Sequence, residues 1–201
     1  MTASLRHGPL GPRTAHLCID MQNMFAKETP WHTPWMERVL PVVATLAEAH
    51  AAQTVFTRFI PPERPEARPG RWRAYFERWR SMTRERLHPE LLDLVAPLPR
   101  LVPPATVVDK PVYSAFAAPE LRSLLVERHI DSLVITGAET DMCVLATVMS
   151  AVDRGYRVVL AVDGVCSSSD RTHDALMTLY NERFSEQIET CTAAAILANW
   201  A

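Results

Sequence analysis

Cys143 is the residue whose setting best suits chemistry. It follows a short apolar run, Leu133-Val134-Ile135-Thr136, that ends at Gly137, and it precedes the helix-compatible Val144-Leu145-Ala146-Thr147-Val148-Met149. This pattern reads as a buried strand turning into a helix. Thr140 is the expected N-cap, its hydroxyl accepting a backbone N–H about three residues on. Cys143 then lies in the first turn, where free N–H groups and the helix dipole favour a thiolate, the nucleophilic form of the side chain. Open α/β sheets keep their sites at such strand-to-helix corners. A small buried core cysteine fits the same position, so the rest of the chain must decide.

Lysine supplies a second pointer. The chain has nineteen arginines and two lysines, Lys27 and Lys110. Arginine therefore serves for general surface charge, and a lysine kept at a strand end is a candidate for a role that needs a compact, tunable cation. High genomic GC content would produce the same bias. Lys110 ends the run Thr106 to Asp109, and Asp20 ends the run Thr14 to Ile19.

The elements that must position these groups alternate. Strands are expected at Thr14 to Ile19, Thr54 to Ile60, Thr106 to Asp109, Leu133 to Thr136, Arg157 to Val162 and Glu186 to Thr190. Helices are expected at Trp35 to Ala52 (with Pro41 a local irritant), Trp72 to Leu87, Pro119 to His129, Met142 to Arg154, Arg171 to Glu182 and Ala193 to Trp200. Alternation implies parallel pairing with right-handed crossovers. The fold class is therefore α/β: a three-layer α/β/α domain on a mostly parallel, Rossmann-like open sheet. Strand ends fall on one edge of such a sheet, so Asp20, Lys110 and Cys143 can converge although more than a hundred residues separate the first from the last.

Length and composition bound the rest. The 201 residues suit one domain, 1–201, with residues 1–12 as a frayed arm rich in Gly and Pro. The net charge of −2 excludes a generally basic nucleic-acid surface. The segment 61–90 is an insertion expected to act as a lid or oligomer contact. Its Trp72, Tyr75, Phe76, Trp79 and arginines resemble a nucleic-acid helix, but interleaved glutamates and the acidic chain assign it instead to a lid or subunit contact. No apolar run reaches ~18 residues, so no membrane partner is expected. The four cysteines form no zinc spacing, and the first thirteen residues lack the apolar core of a signal peptide, so a cytoplasmic location is expected.

Three segments together resemble the isochorismatase-like cysteine hydrolases, the superfamily that includes nicotinamidases, N-carbamoylsarcosine amidase and biuret and ureidoacrylate hydrolases. They are Cys18-Ile19-Asp20-Met21-Gln22-Asn23-Met24-Phe25, Asp109-Lys110-Pro111-Val112-Tyr113-Ser114-Ala115-Phe116, and Gly137-Ala138-Glu139-Thr140-Asp141-Met142-Cys143-Val144. Each sits at a strand end, in the family's order, and the resemblance runs from Thr14 to about Trp200. It implies a catalytic triad of Asp20, Lys110 and Cys143. It also implies a cis peptide at Ala138–Glu139 that aims the Glu139 backbone N–H beside that of Cys143, as an oxyanion hole.

The implied activity is hydrolysis of a C–N bond in a small carboxamide, carbamoyl or ureido compound, through a thioester. Asp20 acts as base and acid, and Lys110 stabilises the thiolate. The nicotinamidase metal site draws on histidines and an aspartate after the second strand. Arg58 to Trp79 holds neither, so no metal and no cofactor are expected, and His32, His88 and His173 read as surface or structural groups. Phe25, Trp31, Tyr113, Phe116 and Thr140 are the candidate substrate-binding residues. The partner is a small amide or ureido substrate, and the family's habit implies a homodimer or homotetramer. The alternatives are a non-hydrolytic thiol protein, acting as redox sensor or binding module, and an isochorismatase-type enol ether hydrolase.

Overall fold

In the computed structural model, residues 5–201 are described. Six strands form one sheet: β1 (Thr14–Ile19), β2 (Thr54–Phe59), β3 (Thr106–Lys110), β4 (Ser132–Ala138), β5 (Arg157–Cys166) and β6 (Ile188–Cys191). The order is β3-β2-β1-β4-β5-β6, and every pairing is parallel. The expected mostly parallel sheet is thus all parallel.

The helices are α1 (Asn23–Ala26), α2 (Met36–Ala49), α3 (Gly70–Arg78), α4 (Pro119–Glu127), α5 (Leu145–Val152), α6 (Asp170–Arg183) and α7 (Ala193–Ala198). They cover both sheet faces, which is why β1 and β4 are buried at every position. Alternate residues of β1 serve the two layers. Leu17 and Ile19 pack with Leu121 and Leu125 of α4, Val148 of α5 and Tyr180 of α6. Cys18 packs on the other face with Val39 and Val43 of α2.

Segments β1–β3 step outward one way and β4–β6 the other, so the sheet reverses direction between β1 and β4. A crevice opens at the carboxyl ends of the strands at such a point. Asp20 and Cys143 follow these two strands.

Several elements differ from the sequence expectation. The arm expected to fray includes residues 1–4, which lie outside the described residues, and residues 5–12, which are anchored at Leu5 and Leu10. Leu5 and Leu10 are buried with Leu46, Ile196 and Trp200, and the Leu10 N–H donates to the Asn199 carbonyl at 2.7 Å. The helix expected over Trp72 to Leu87 ends at Arg78 and gives way to a 3₁₀ turn, Arg80–Met82. Beyond it the chain turns back, and the N–H groups of Arg84 and Glu85 donate to the carbonyls of Pro62 and Glu63.

The last surprise is at the centre of the sheet. His16 of β1 is fully buried, with Nδ1 3.1 Å from Thr54 Oγ1 and Nε2 2.8 Å from Thr136 Oγ1. Burial, helped by charge on His50, pushes its pKa from the usual 6.5 down to about 3. An unfolded chain takes up a proton below pH 6.5 that the folded chain refuses until about pH 3. The His16 contribution is therefore complete above pH 6.5 and is lost as pH falls, at about 1.4 kcal/mol per pH unit. Urea unfolding between pH 6.5 and 4 should show that slope, reduced in His16→Gln; equal slopes in both proteins would refute it.

Candidate active site

The three strand ends meet. Asp20 lies one residue beyond β1, Lys110 is the last residue of β3, and Cys143 follows β4. Lys110 Nζ is 2.7 Å from Asp20 Oδ2 and donates to Cys143 Sγ at 3.3 Å and to the Val112 carbonyl at 3.0 Å. The ammonium thus makes one ion pair and two hydrogen bonds. β3 is the edge strand and β2 lies between it and β1, so a long side chain is needed to cross. The register pairs Lys110 with Phe59 of β2, and Nζ lies 5.2 Å over the Phe59 ring.

Asp20 is fixed from several directions. Its Oδ1 accepts from Thr57 Oγ1 at 2.7 Å, and its N–H donates to the Thr57 carbonyl at 3.2 Å. Its φ is +50°, a left-handed conformation that aspartate tolerates better than most residues. Thr57 was not picked out in the sequence. Its role becomes visible when β2 is placed beside β1, because His16 pairs with Thr54 and Cys18 with Phe56.

Thr140–Val144 form a π turn before α5, in place of the expected first α-turn. Such turns recur at functional sites. The Thr140 cap does not form, because its hydroxyl lies 2.9 Å from His173 Nδ1 on α6. The neighbouring Glu139 Oε1 accepts from the Ser168 N–H at 3.0 Å, and Asp141 accepts from the hydroxyls of Ser167 and Thr172. The β5–α6 turn thus holds the cysteine corner at three consecutive residues. The Ala138–Glu139 peptide is cis.

Electrostatics correct one expectation. The site is buried: Asp20 is 0% exposed, Lys110 1% and Cys143 6%. Burial alone lowers the Lys110 pKa, but the Asp20 carboxylate and the Cys143 sulfur outweigh it and hold the ammonium above its usual range. For Cys143 the balance runs the other way. Burial pushes the thiol up, Lys110 pulls it down, and Asp20 raises it again, with a net rise. The balance beside the Asp–Lys ion pair runs toward the thiol, where the helix-terminus argument favoured a thiolate.

A narrow cavity of about 50 Å³ opens on the sulfur. Phe25, Trp31, Phe59, Tyr75 and Tyr113 line it, with Glu139, Met142 and Cys143. Of the five candidate substrate-binding residues, Phe25, Trp31 and Tyr113 are there. Phe116 is not: it is buried in the core against Tyr156, at 5.7 Å between rings, because its 3₁₀ turn, Ala115–Ala117, is tied to α5 by the Ala115 N–H to Thr147 Oγ1 bond. Thr140 is fully buried against His173 and lines no part of the cavity. Phe59, Met142 and the Glu139 side chain went unnoticed. Their types are ordinary for core or surface, and only the meeting of strand ends brings them together.

From the segment 61–90, Tyr75 lines the cavity. Tyr75 of α3 lies 6.0 Å from Trp31, and Trp72 lies 4.9 Å from Tyr113. His32 and His88 are exposed. Among the described residues, no three His, Cys, Asp or Glu side chains form a group that could hold a metal ion, and no helix is long and apolar enough to cross a membrane.

The chain is similar in sequence and fold to known proteins. The isochorismatase domain family matches residues 14–192. An uncharacterized isochorismatase family protein of Bacillus subtilis is 26% identical over 172 residues, 86% of each chain. The N-carbamoylsarcosine amidase of an Arthrobacter species is 28% identical over 158 residues, 75% of this chain and 58% of that protein. A solved cysteine hydrolase from Pseudomonas syringae pv. phaseolicola 1448A has the same fold, with a TM-score of 0.79 at 24% identity over 99% of this chain and 98% of the other. By its match over most of its length, the chain belongs to the isochorismatase family.

Proposed function

We propose that this chain is a cysteine-dependent amidohydrolase, cleaving a C–N bond of a small carboxamide, carbamoyl or ureido compound with Asp20, Lys110 and Cys143. The observation that carries the reading is the Lys110 ammonium held between Asp20, at 2.7 Å, and Cys143, at 3.3 Å. A cation there stabilises the sulfur as it becomes negative, while the carboxylate beside it can take the proton.

The Asp20 carboxylate removes the Cys143 thiol proton as sulfur attacks the carbonyl carbon. The displaced electron pair resides on the carbonyl oxygen, received by the backbone N–H groups of Glu139 and Cys143. The C–N bond then breaks, and the departing nitrogen takes the proton from Asp20. Water attacks the thioester, giving its proton to Asp20, and the carbonyl product leaves as the proton returns to sulfur. Lys110 stays protonated throughout. The scheme requires no metal ion, since backbone donors polarise the carbonyl. An oxidant-sensing thiol would need an exposed, low-pKa sulfur. Cys143 is buried and its thiol is pushed up, so hydrolysis is the better reading.

The test is ammonia or amine release from a panel of primary amides, ureido acids and aryl amides, with wild type beside Cys143→Ala. Release by wild type should persist after dialysis against a chelator. It should fall by at least about a thousandfold in Cys143→Ala. Turnover undiminished in that variant would end the proposal.

A further inference from the structure

The walls of the cavity carry information about charge that the triad does not use. Trp31 joins its aromatic wall together, with the Phe25 ring stacked at 6.3 Å, Phe59 at 6.0 Å and Tyr75 at 6.0 Å. Glu139 lines the same cavity, and its carboxylate, held by the Ser168 N–H at 3.0 Å and Thr33 Oγ1 at 3.4 Å, acts electrostatically on Tyr75 and Tyr113 of the wall. No arginine, histidine or lysine is among the described residues that line it. Lys110 is not among them: its ammonium is paired with Asp20 and hydrogen-bonded to Val112 and Cys143.

We infer that the cavity selects a short amide whose far end carries an alkylated ammonium ion. The inference rests on the hydrolase reading for the reacting end and on the aromatic walls and Glu139 for the other. Each class of substituent meets these walls differently. A carboxylate would face Glu139 with no cation to receive it. An uncharged alkyl group would fill the space but gain nothing from the ring faces or from the Glu139 carboxylate. An onium group meets the negative faces of the rings and the carboxylate together. Alkylation matters because ring faces cannot replace the strong hydrogen bonds that a primary ammonium loses on leaving water. The cavity is narrow, about 50 Å³, so the substrate is compact.

The test uses three amides of similar size: trimethylammonioacetamide, its uncharged isostere 3,3-dimethylbutanamide, and succinamate. The expected kcat/KM is at least about tenfold higher for the cation than for the isostere, with succinamate lowest. Glu139→Gln should bring the cation-to-isostere ratio near one. The ratio is read because it cancels any change that the variant makes to the reaction itself. A ratio at or below one in wild type, or a ratio unchanged in Glu139→Gln, overturns the inference. If the isostere is hydrolysed in a Cys143-dependent way and the cation no better, the inference fails and the hydrolase reading stands. If none of the three is turned over, calorimetric binding to Cys143→Ala decides. Tighter binding of the cation than of the isostere upholds the selection, and equal or weaker binding overturns it.

Discussion

Asp20→Asn should lower turnover by about a thousandfold and destabilise the fold by about 3–5 kcal/mol at neutral pH. The first effect follows from chemistry. An amide cannot take the thiol proton, although it can still accept from Thr57 Oγ1, so the local geometry has reason to survive. The second effect follows from burial. Lys110 is 1% exposed, and its ammonium would lose the carboxylate 2.7 Å away. An unpaired buried charge costs far more than a surface one.

The two effects separate in a second variant. Asp20→Asn with Lys110→Met removes both charges and keeps most of the side-chain volume. It should recover most of the lost stability and none of the activity. Urea unfolding and amine release on the three proteins give both readouts. A double variant no more stable than the single would mean that the ion pair is not what Asp20 contributes to the fold.

The pH dependence carries its own sign. In wild type the Lys110 pKa is raised above 10.5, so its stabilisation is complete below that pH and is lost as pH rises through the folded value. In Asp20→Asn the buried ammonium has a lowered pKa instead, so the stability deficit should shrink toward alkaline pH.

Gly137→Ala should prevent folding or cost at least about 4 kcal/mol. Gly137 of β4 pairs with Ile19 of β1, at φ +111°, and an added Cβ would lie 2.0 Å from the Ile19 carbonyl oxygen and 2.6 Å from its nitrogen. Both are backbone atoms in the middle of a six-stranded sheet, so nothing flexible can yield. The contact joins the strand ends that carry Asp20 and the Glu139 corner, so any folded fraction should also be less active. Gly155→Ala is the control. Gly155 also has positive φ, +78°, but an added Cβ there meets nothing within 4 Å. It should cost about 1 kcal/mol, the backbone term alone. Equal losses in the two variants, measured by thermal unfolding, would show that steric contact with β1 is not the cause.

The strand pattern was open to sequence reading because burial on both faces demands continuous apolar residues. Thr14–Ile19 is bounded as the composition suggests, and Leu133 to Thr136 falls inside β4. Helix ends were less legible. The stop at Arg78 depends on where Arg84 and Glu85 find carbonyl partners, at residues distant in sequence. The packing of residues 5–12 likewise depends on Trp200 and Ile196 at the other end of the chain, which no local Gly or Pro signal reveals.

By itself the sequence determined the elements and their alternation, and with them which side chains end strands: Asp20, Lys110 and the Cys143 corner. Period and turn residues are local properties of a chain, and parallel alternation places strand ends on one edge. The tertiary structure alone decided the order β3-β2-β1-β4-β5-β6, hence that Lys110 must reach across β2. It decided too that Thr57 holds Asp20, that Thr140 turns to His173 instead of capping, and that Glu139 lines an aromatic cavity while Phe116 does not. The protonation of Cys143 belongs with these. The sum of burial and of two opposite neighbouring charges sets it, and each depends on distances between residues far apart in the chain.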